Sequence, residues 1–128
     1  MDGIVLQPGM VTQAGGIVTD GLVLNLDAGN PQSYPGSGTT WTDLSGNGNN
    51  GTLLNGVGYD SDNGGSLVFD GSNDYVTTPL FGDSTTNRTF SVWYNPLNNT
   101  VTTPLNRGRD GAGGYWSLLI GSDRTSGG

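Results

Sequence analysis

The stretch that decides the fold begins Thr40-Trp41-Thr42-Asp43-Leu44-Ser45-Gly46-Asn47-Gly48-Asn49-Asn50-Gly51-Thr52 and closes on Leu67-Val68-Phe69-Asp70-Gly71-Ser72-Asn73-Asp74-Tyr75-Val76. Both ends carry the same idea. An aspartate opens a loop of Gly, Asn and Ser, with a short apolar run beside it. Asp and Asn side chains bond their own backbone two residues on, and Gly takes the positive φ that tight turns need. Between the two loops lie Leu53-Leu54 and Val57-Gly58-Tyr59, separated by Asn55-Gly56, a strong hairpin-turn dipeptide. The stretch therefore spells short strands joined by tight turns.

Composition extends that reading to the whole chain. Its 128 residues fit one domain. There are 24 glycines and no Glu, Lys, His or Cys; all eleven acids are Asp and all four bases are Arg. Ala stands only at positions 14, 28 and 112. The good helix formers are thus nearly absent. Aromatic residues, 9% of the chain, fall within alternating runs, which favours a folded β protein over a disordered one. The net charge of −7 argues against nucleic acid and anionic membrane, which want clustered Lys and Arg. Without cysteine there are no disulfides to report on redox compartment. No secretory leader or membrane-spanning run is read at the N-terminus.

Outward from the central stretch, residues 1–20 hold short β-prone runs, Ile4-Val5-Leu6, Met10-Val11-Thr12 and Ile17-Val18-Thr19, separated by Pro8-Gly9 and Gly15-Gly16. They read either as a first hairpin or as an arm that pairs with another chain. Leu22-Val23-Leu24-Asn25-Leu26-Asp27 is expected as the first clean strand, with Leu22, Leu24 and Leu26 on one face. Residues 30–38 read as loop. Tyr75 to Thr78 reads as a strand ended by Pro79. The best strand pattern is Thr89-Phe90-Ser91-Val92-Trp93-Tyr94-Asn95-Pro96, where Phe90, Val92 and Tyr94 alternate with Ser91, Trp93 and Asn95. A hairpin is expected over 98–106, a charged glycine-rich loop over 107–114, and a last strand over 115–120. Strands at this spacing indicate an antiparallel β-sandwich or jelly roll.

Three ordered motifs within residues 21–96 resemble the laminin-G-like jelly-roll module of the concanavalin A-like lectin/glucanase superfamily. The 41–52 segment is similar to its Asp-x-Ser-Gly-Asn-x-x-x-Gly-Thr loop. Residues 67–76 are similar to its Phe-Asp-Gly-x-x-Asp-Tyr-Val element, and 90–96 to its Phe-(Thr/Ser)-x-x-Trp-x-x-Pro strand, one residue shorter here between Ser91 and Trp93. The later Trp-His strand, Tyr-Asp-Gly turn and closing hairpin of such modules have no counterpart here. The resemblance therefore implies a jelly roll over 21–128 that is incomplete at its C-terminus. A half sandwich exposes an apolar face and unpaired edges, so the chain is expected to associate with itself or dock on another protein.

The resemblance also frames the candidate chemistry. Glycoside hydrolysis needs a carboxylate pair of opposed roles, and the glucanases of the group carry it on a Glu-rich strand. This chain has no Glu, and no His to serve a nucleophile, so no enzyme is expected. Asp43-x-Ser45-x-Asn47-Gly48 places oxygen donors at alternating positions like the front of a calcium loop, but the closing acid would fall at Leu54. The resemblance implies calcium held through Asp43, Asp70 or Asp74; the competing reading is an Asx-turn. Glycan binding would use Trp41, Tyr59, Tyr115 and Arg109, whereas Trp93 and Trp116 read as core. The expected use is structural or adhesive. One form is a phage tail fibre or capsid decoration, located in the virion and bound to other virion proteins or to copies of itself. The other is a carbohydrate-binding module of a bacterial surface or secreted protein.

Overall fold

A computed structural model describes residues 16–79, 87–96, 106–107 and 118–121. Among them every sheet contact is antiparallel, and the only helical element is a single 3-10 turn. The chain is all-β, as expected. No helix in the described residues is long and apolar enough to cross a membrane.

Seven short strands form two sheets among the described residues. β1 (Thr40–Trp41), β2 (Gly51–Leu54), β5 (Tyr75–Thr77), β7 (Leu118–Gly121) and β6 (Asn106–Arg107) lie side by side in that order. β3 (Gly58–Asp60) and β4 (Ser66–Val68) form a separate two-stranded ribbon. In the larger sheet Trp41 pairs with Gly51, Leu53 with Val76, and Val76 with Ile120. A period of two then sets one face: Gly51, Leu53 and Val76 are buried while Thr52 is exposed.

That face makes the core. Tyr34, Trp41, Leu53 and Val76 form one buried cluster, with Leu26, Ala28, Val57, Tyr59, Leu67 and Phe69 packed against it. The larger sheet and the ribbon thus contribute to one core, Tyr59 and Leu67 coming from the ribbon. Burying each Val or Leu there contributes about 1.5–3 kcal/mol. Gly51 belongs to this packing. A Cβ on it would lie 3.0 Å from Val76 Cγ1 and 3.3 Å from Trp41 Cβ. The loop over 30–38 also enters the core. Ser33 is fully buried, donating its hydroxyl to the Thr42 carbonyl at 2.6 Å and accepting the Asp27 N–H at 3.1 Å. Tyr34 donates its hydroxyl to the Gly38 carbonyl and meets the Tyr59 ring at 5.4 Å between centroids.

Several local expectations are corrected. Asn55-Gly56 is not a hairpin tip. Asn55 (φ 66°) and Gly56 (φ 106°) do take the positive φ that an Asn-Gly turn demands. Yet β2 pairs with β1 and β5, and β3 pairs with β4, so the turn is a corner that carries the chain from one sheet to the other. The dipeptide fixes the local bend, while burial of Leu53 on one side and Tyr59 on the other decides the pairing. The true hairpin is β3–β4, closed by the 3-10 turn Asp62–Gly64. Leu22 to Asp27 forms no sheet ladder; its backbone is bonded by the loop that Asp43 opens, described below. Residues 87–96 form no strand, and Trp93 is 98% exposed rather than in the core. The alternation there records compatibility with a sheet, yet residues of both faces are exposed: Phe90, Val92 and Tyr94 on one, Trp93 on the other. The short strand Thr40–Trp41 was not anticipated. The 1–15 segment, most of the 98–106 hairpin, the 108–114 loop, Arg109, Tyr115 and Trp116 lie outside the described residues.

Candidate functional site

Among the described residues the two aspartate-led loops carry dense side-chain hydrogen bonding. In the first, the Asp43 carboxylate is 7% exposed and accepts four hydrogen bonds. Oδ1 takes the N–H groups of Asn25 and Ser45, each at 2.9 Å. Oδ2 takes the Ser45 hydroxyl at 2.7 Å and the Asn49 N–H at 2.9 Å. Two donors on each oxygen fill the roughly four lone-pair directions of a carboxylate. The Asp43 N–H in turn donates to Asn50 Oδ1 at 2.9 Å. Burial pushes the Asp43 carboxyl up, but the N–H groups of Asn25, Ser45 and Asn49 and the Ser45 hydroxyl outweigh it and hold it below the usual carboxylate range.

The same loop reaches outward to the extended 22–25 segment. Leu44 N–H donates to the Asn25 carbonyl at 2.8 Å. The amides of Asn47 and Asn49 donate to the carbonyls of Leu22 and Val23 at 2.9 and 2.8 Å. Side-chain amides thus satisfy carbonyls that a neighbouring strand would otherwise take. This explains why a sequence that reads as a strand is extended yet has no strand partner.

The second loop is smaller and more open. Asp70 is exposed; its Oδ1 accepts the N–H groups of Ser72, Asn73 and Asp74 at 2.8, 3.2 and 3.4 Å. The Ser72 N–H is the main cause that lowers the Asp70 carboxyl below its usual range. Asp74 is 3% exposed and takes the Asp70 N–H on Oδ2 at 3.1 Å. The loop is tied to the sheet corner, where Asn55 donates to the Asn73 carbonyl at 2.7 Å.

The structure therefore brings Asp70 and Asp74 together, the backbone N–H of each donating to the carboxylate of the other. Among the described residues, no group of three acidic, His or Cys side chains is placed to hold a metal ion. In both loops the closest polar partners of the carboxylates are the chain's own N–H and O–H groups, which is Asx-turn chemistry extended into tertiary contacts.

Of the aromatic candidates, Trp41 is 8% exposed, its indole N–H is buried, and it packs in the core. Tyr59 is half-buried, with its ring against Tyr34. Among the described residues the exposed rings are Phe90, Trp93 and Tyr94, 38%, 98% and 59% exposed. The sequence pattern gave no sign of this, since their alternation is that of a core strand. Ser33 and Tyr34 were also missed, hidden in a stretch punctuated by Pro31, Pro35 and Gly36. The signal available was a lone Tyr beside Ser in an otherwise apolar-free loop. The chain matches no protein-family model, no curated protein and no solved structure.

Proposed function

We propose that this chain is a non-enzymatic structural or adhesion component of a phage virion, a tail-fibre or capsid-decoration protein built on a laminin-G-like jelly roll. The observation that carries the proposal is the 87–96 segment. It presents Phe90, Val92, Trp93 and Tyr94 at 38, 37, 98 and 59% exposure. Four apolar and aromatic side chains within five residues at that exposure suit a surface that is covered on assembly. The carboxylates give the complementary support: Asp43 and Asp70 accept hydrogen bonds from their own loops, and Asp43 also from the Asn25 N–H, a structural use of the acids. The sheet and the ribbon sharing one core are consistent with a sandwich, of which the jelly roll is one form.

Density-gradient sedimentation of the native source, with mass spectrometry on each fraction, tests the proposal. Recovery in a particle band at a fixed ratio to other proteins supports it. Recovery only in soluble or envelope fractions overturns it. The exposed rings favour a second reading, a carbohydrate-binding module, because an exposed indole face is what a sugar ring stacks on. Glycan-array binding that is lost in Trp93→Ser would favour that reading.

A further inference from the structure

The chain has four Asn-Gly pairs, at Asn47-Gly48, Asn50-Gly51, Asn55-Gly56 and Asn63-Gly64. Asn-Gly is the dipeptide most open to intramolecular attack, because glycine carries no side chain to shield its backbone nitrogen. All four asparagines are exposed, so exposure does not separate them. Their side-chain amides do. Asn47 donates to the Leu22 carbonyl at 2.9 Å and the Ser45 hydroxyl at 3.0 Å. Asn50 accepts the Asp43 N–H at 2.9 Å, and the next residue, Gly51, is buried in β2. Asn55 donates to the Asn73 carbonyl at 2.7 Å. Asn63 sits at the tip of the β3–β4 hairpin, and its side chain makes no hydrogen bond among the described residues.

We propose that Asn63-Gly64 is a site of spontaneous succinimide formation and deamidation in the folded protein, and that the other three pairs are protected. The Gly64 nitrogen attacks Asn63 Cγ, the ring closes, and ammonia leaves. Water then opens the ring at either carbonyl to give aspartate or isoaspartate. No oxidant or cofactor is needed. The neighbourhood gives the reaction a consequence. A new carboxylate joins Asp60 and Asp62 on the same hairpin. In the isoaspartate the backbone gains a methylene between residues 63 and 64, which lengthens the tip of the β3–β4 hairpin.

The test is peptide mapping by mass spectrometry of the full chain, aged in mildly alkaline buffer and sampled over time. Isoaspartyl methyltransferase labelling separates the two products. One net hydrogen bond of about 1 kcal/mol corresponds to a roughly fivefold smaller reactive population, so Asn63 should convert at least roughly fivefold faster than each of the others. Asn63→Gln should remove most of the isoaspartyl label, and unfolding in urea should bring the other three sites up to a common rate. Conversion of Asn47, Asn50 or Asn55 as fast as Asn63 in the folded chain would overturn the proposal, as would a label that survives in Asn63→Gln.

Discussion

Replacing Asp43 by Asn tests whether the first loop is a staple. The swap keeps shape and removes charge. If the amide oxygen takes the place of Oδ1, the N–H groups of Asn25 and Ser45 keep an acceptor, but their bonds lose charge assistance. The amide nitrogen then faces two donors, the Ser45 hydroxyl and the Asn49 N–H. The hydroxyl can turn to accept; the backbone N–H cannot, and is orphaned. Flipping the amide is worse, because its nitrogen would then face two backbone N–H groups. Weakening two bonds from charged to neutral costs about 1 kcal/mol each, and the orphaned donor about 1–3 kcal/mol more. With some relief from water at the partly exposed Asn49, the loss should be about 3 kcal/mol, a large part of a typical total of about 5–15 kcal/mol. At a urea slope of about 2 kcal/mol/M, the midpoint should fall by roughly 1.5 M. Intrinsic fluorescence of core Trp41 during urea unfolding, with far-ultraviolet circular dichroism as a second probe, measures it. Ser45→Ala removes the hydroxyl donor to Oδ2 and the acceptor of the Asn47 N–H and amide; Asn47 is exposed and turns to water, so the cost should be about 1 kcal/mol. An Asp43→Asn chain within about 0.5 kcal/mol of the parent, the range of ordinary surface changes, would refute the staple. So would Ser45→Ala matching or exceeding it.

Acid should act through the same carboxylate: its folded pKa lies below the unfolded value of about 3.9, so its contribution is full above about pH 4 and is lost as pH falls through the lower folded value. Urea midpoints against pH should therefore drop more steeply below about pH 4 in the parent than in Asp43→Asn. Calcium must displace four protein donors to reach Asp43, so the melting midpoint should not move on adding the ion; a saturable rise abolished by Asp70→Asn would place the ion at the second loop instead. Gly51→Ala puts a methyl 3.0 Å from Val76 Cγ1 and should destabilise by about 1–2 kcal/mol. Val76→Ala alone should cost about 2 kcal/mol but less in the Gly51→Ala background, giving a favourable coupling in a double-mutant cycle of denaturation midpoints. Trp93→Ser should leave stability within about 0.5 kcal/mol because the ring is 98% exposed, while lowering self-association or particle incorporation measured by sedimentation.

Fold class was legible because composition and turn chemistry agree. A chain without Glu or Lys, rich in Gly, Asn and Asp, has little but short strands and turns to fold into. The Asp43 and Asp70 loops were legible as turns for the same reason. Pairing was not. The φ signs at Asn55 and Gly56 are local, and two residues meet the same dihedral demand whether they close a hairpin or turn a corner between sheets. The choice lies in which core face Leu53 and Tyr59 reach, a long-range matter. Residues 89–96 failed in the opposite sense. Period-two alternation records compatibility with a sheet but not the presence of a neighbour. Trp41 shows why the site was the least legible part. An aromatic beside a polar loop looks the same in sequence whether it lines a rim or fills a core, and here its pairing opposite Gly51 puts it inside.

The Asp43 loop also accounts for the odd composition. A β-rich chain must satisfy the backbone of each extended segment, usually with another strand. Residues 22–25 are bonded instead by the Asp43 carboxylate, the Leu44 N–H and two asparagine amides. Asn suits this task because its amide reproduces both ends of a peptide group. Asp suits the hub because only a carboxylate can accept four donors at once, and Gly at 46 and 48 supplies the positive φ that lets the loop fold back on itself. Longer or basic side chains would do none of this in so tight a space. The scarcity of helix formers and the abundance of Asn, Asp and Gly are then one fact: around residues 22–25, polar side chains do the work of a neighbouring strand. Changing Asn49 to Ala should therefore loosen 22–25 specifically, visible as faster amide exchange there with the β1–β2–β5 ladder unchanged.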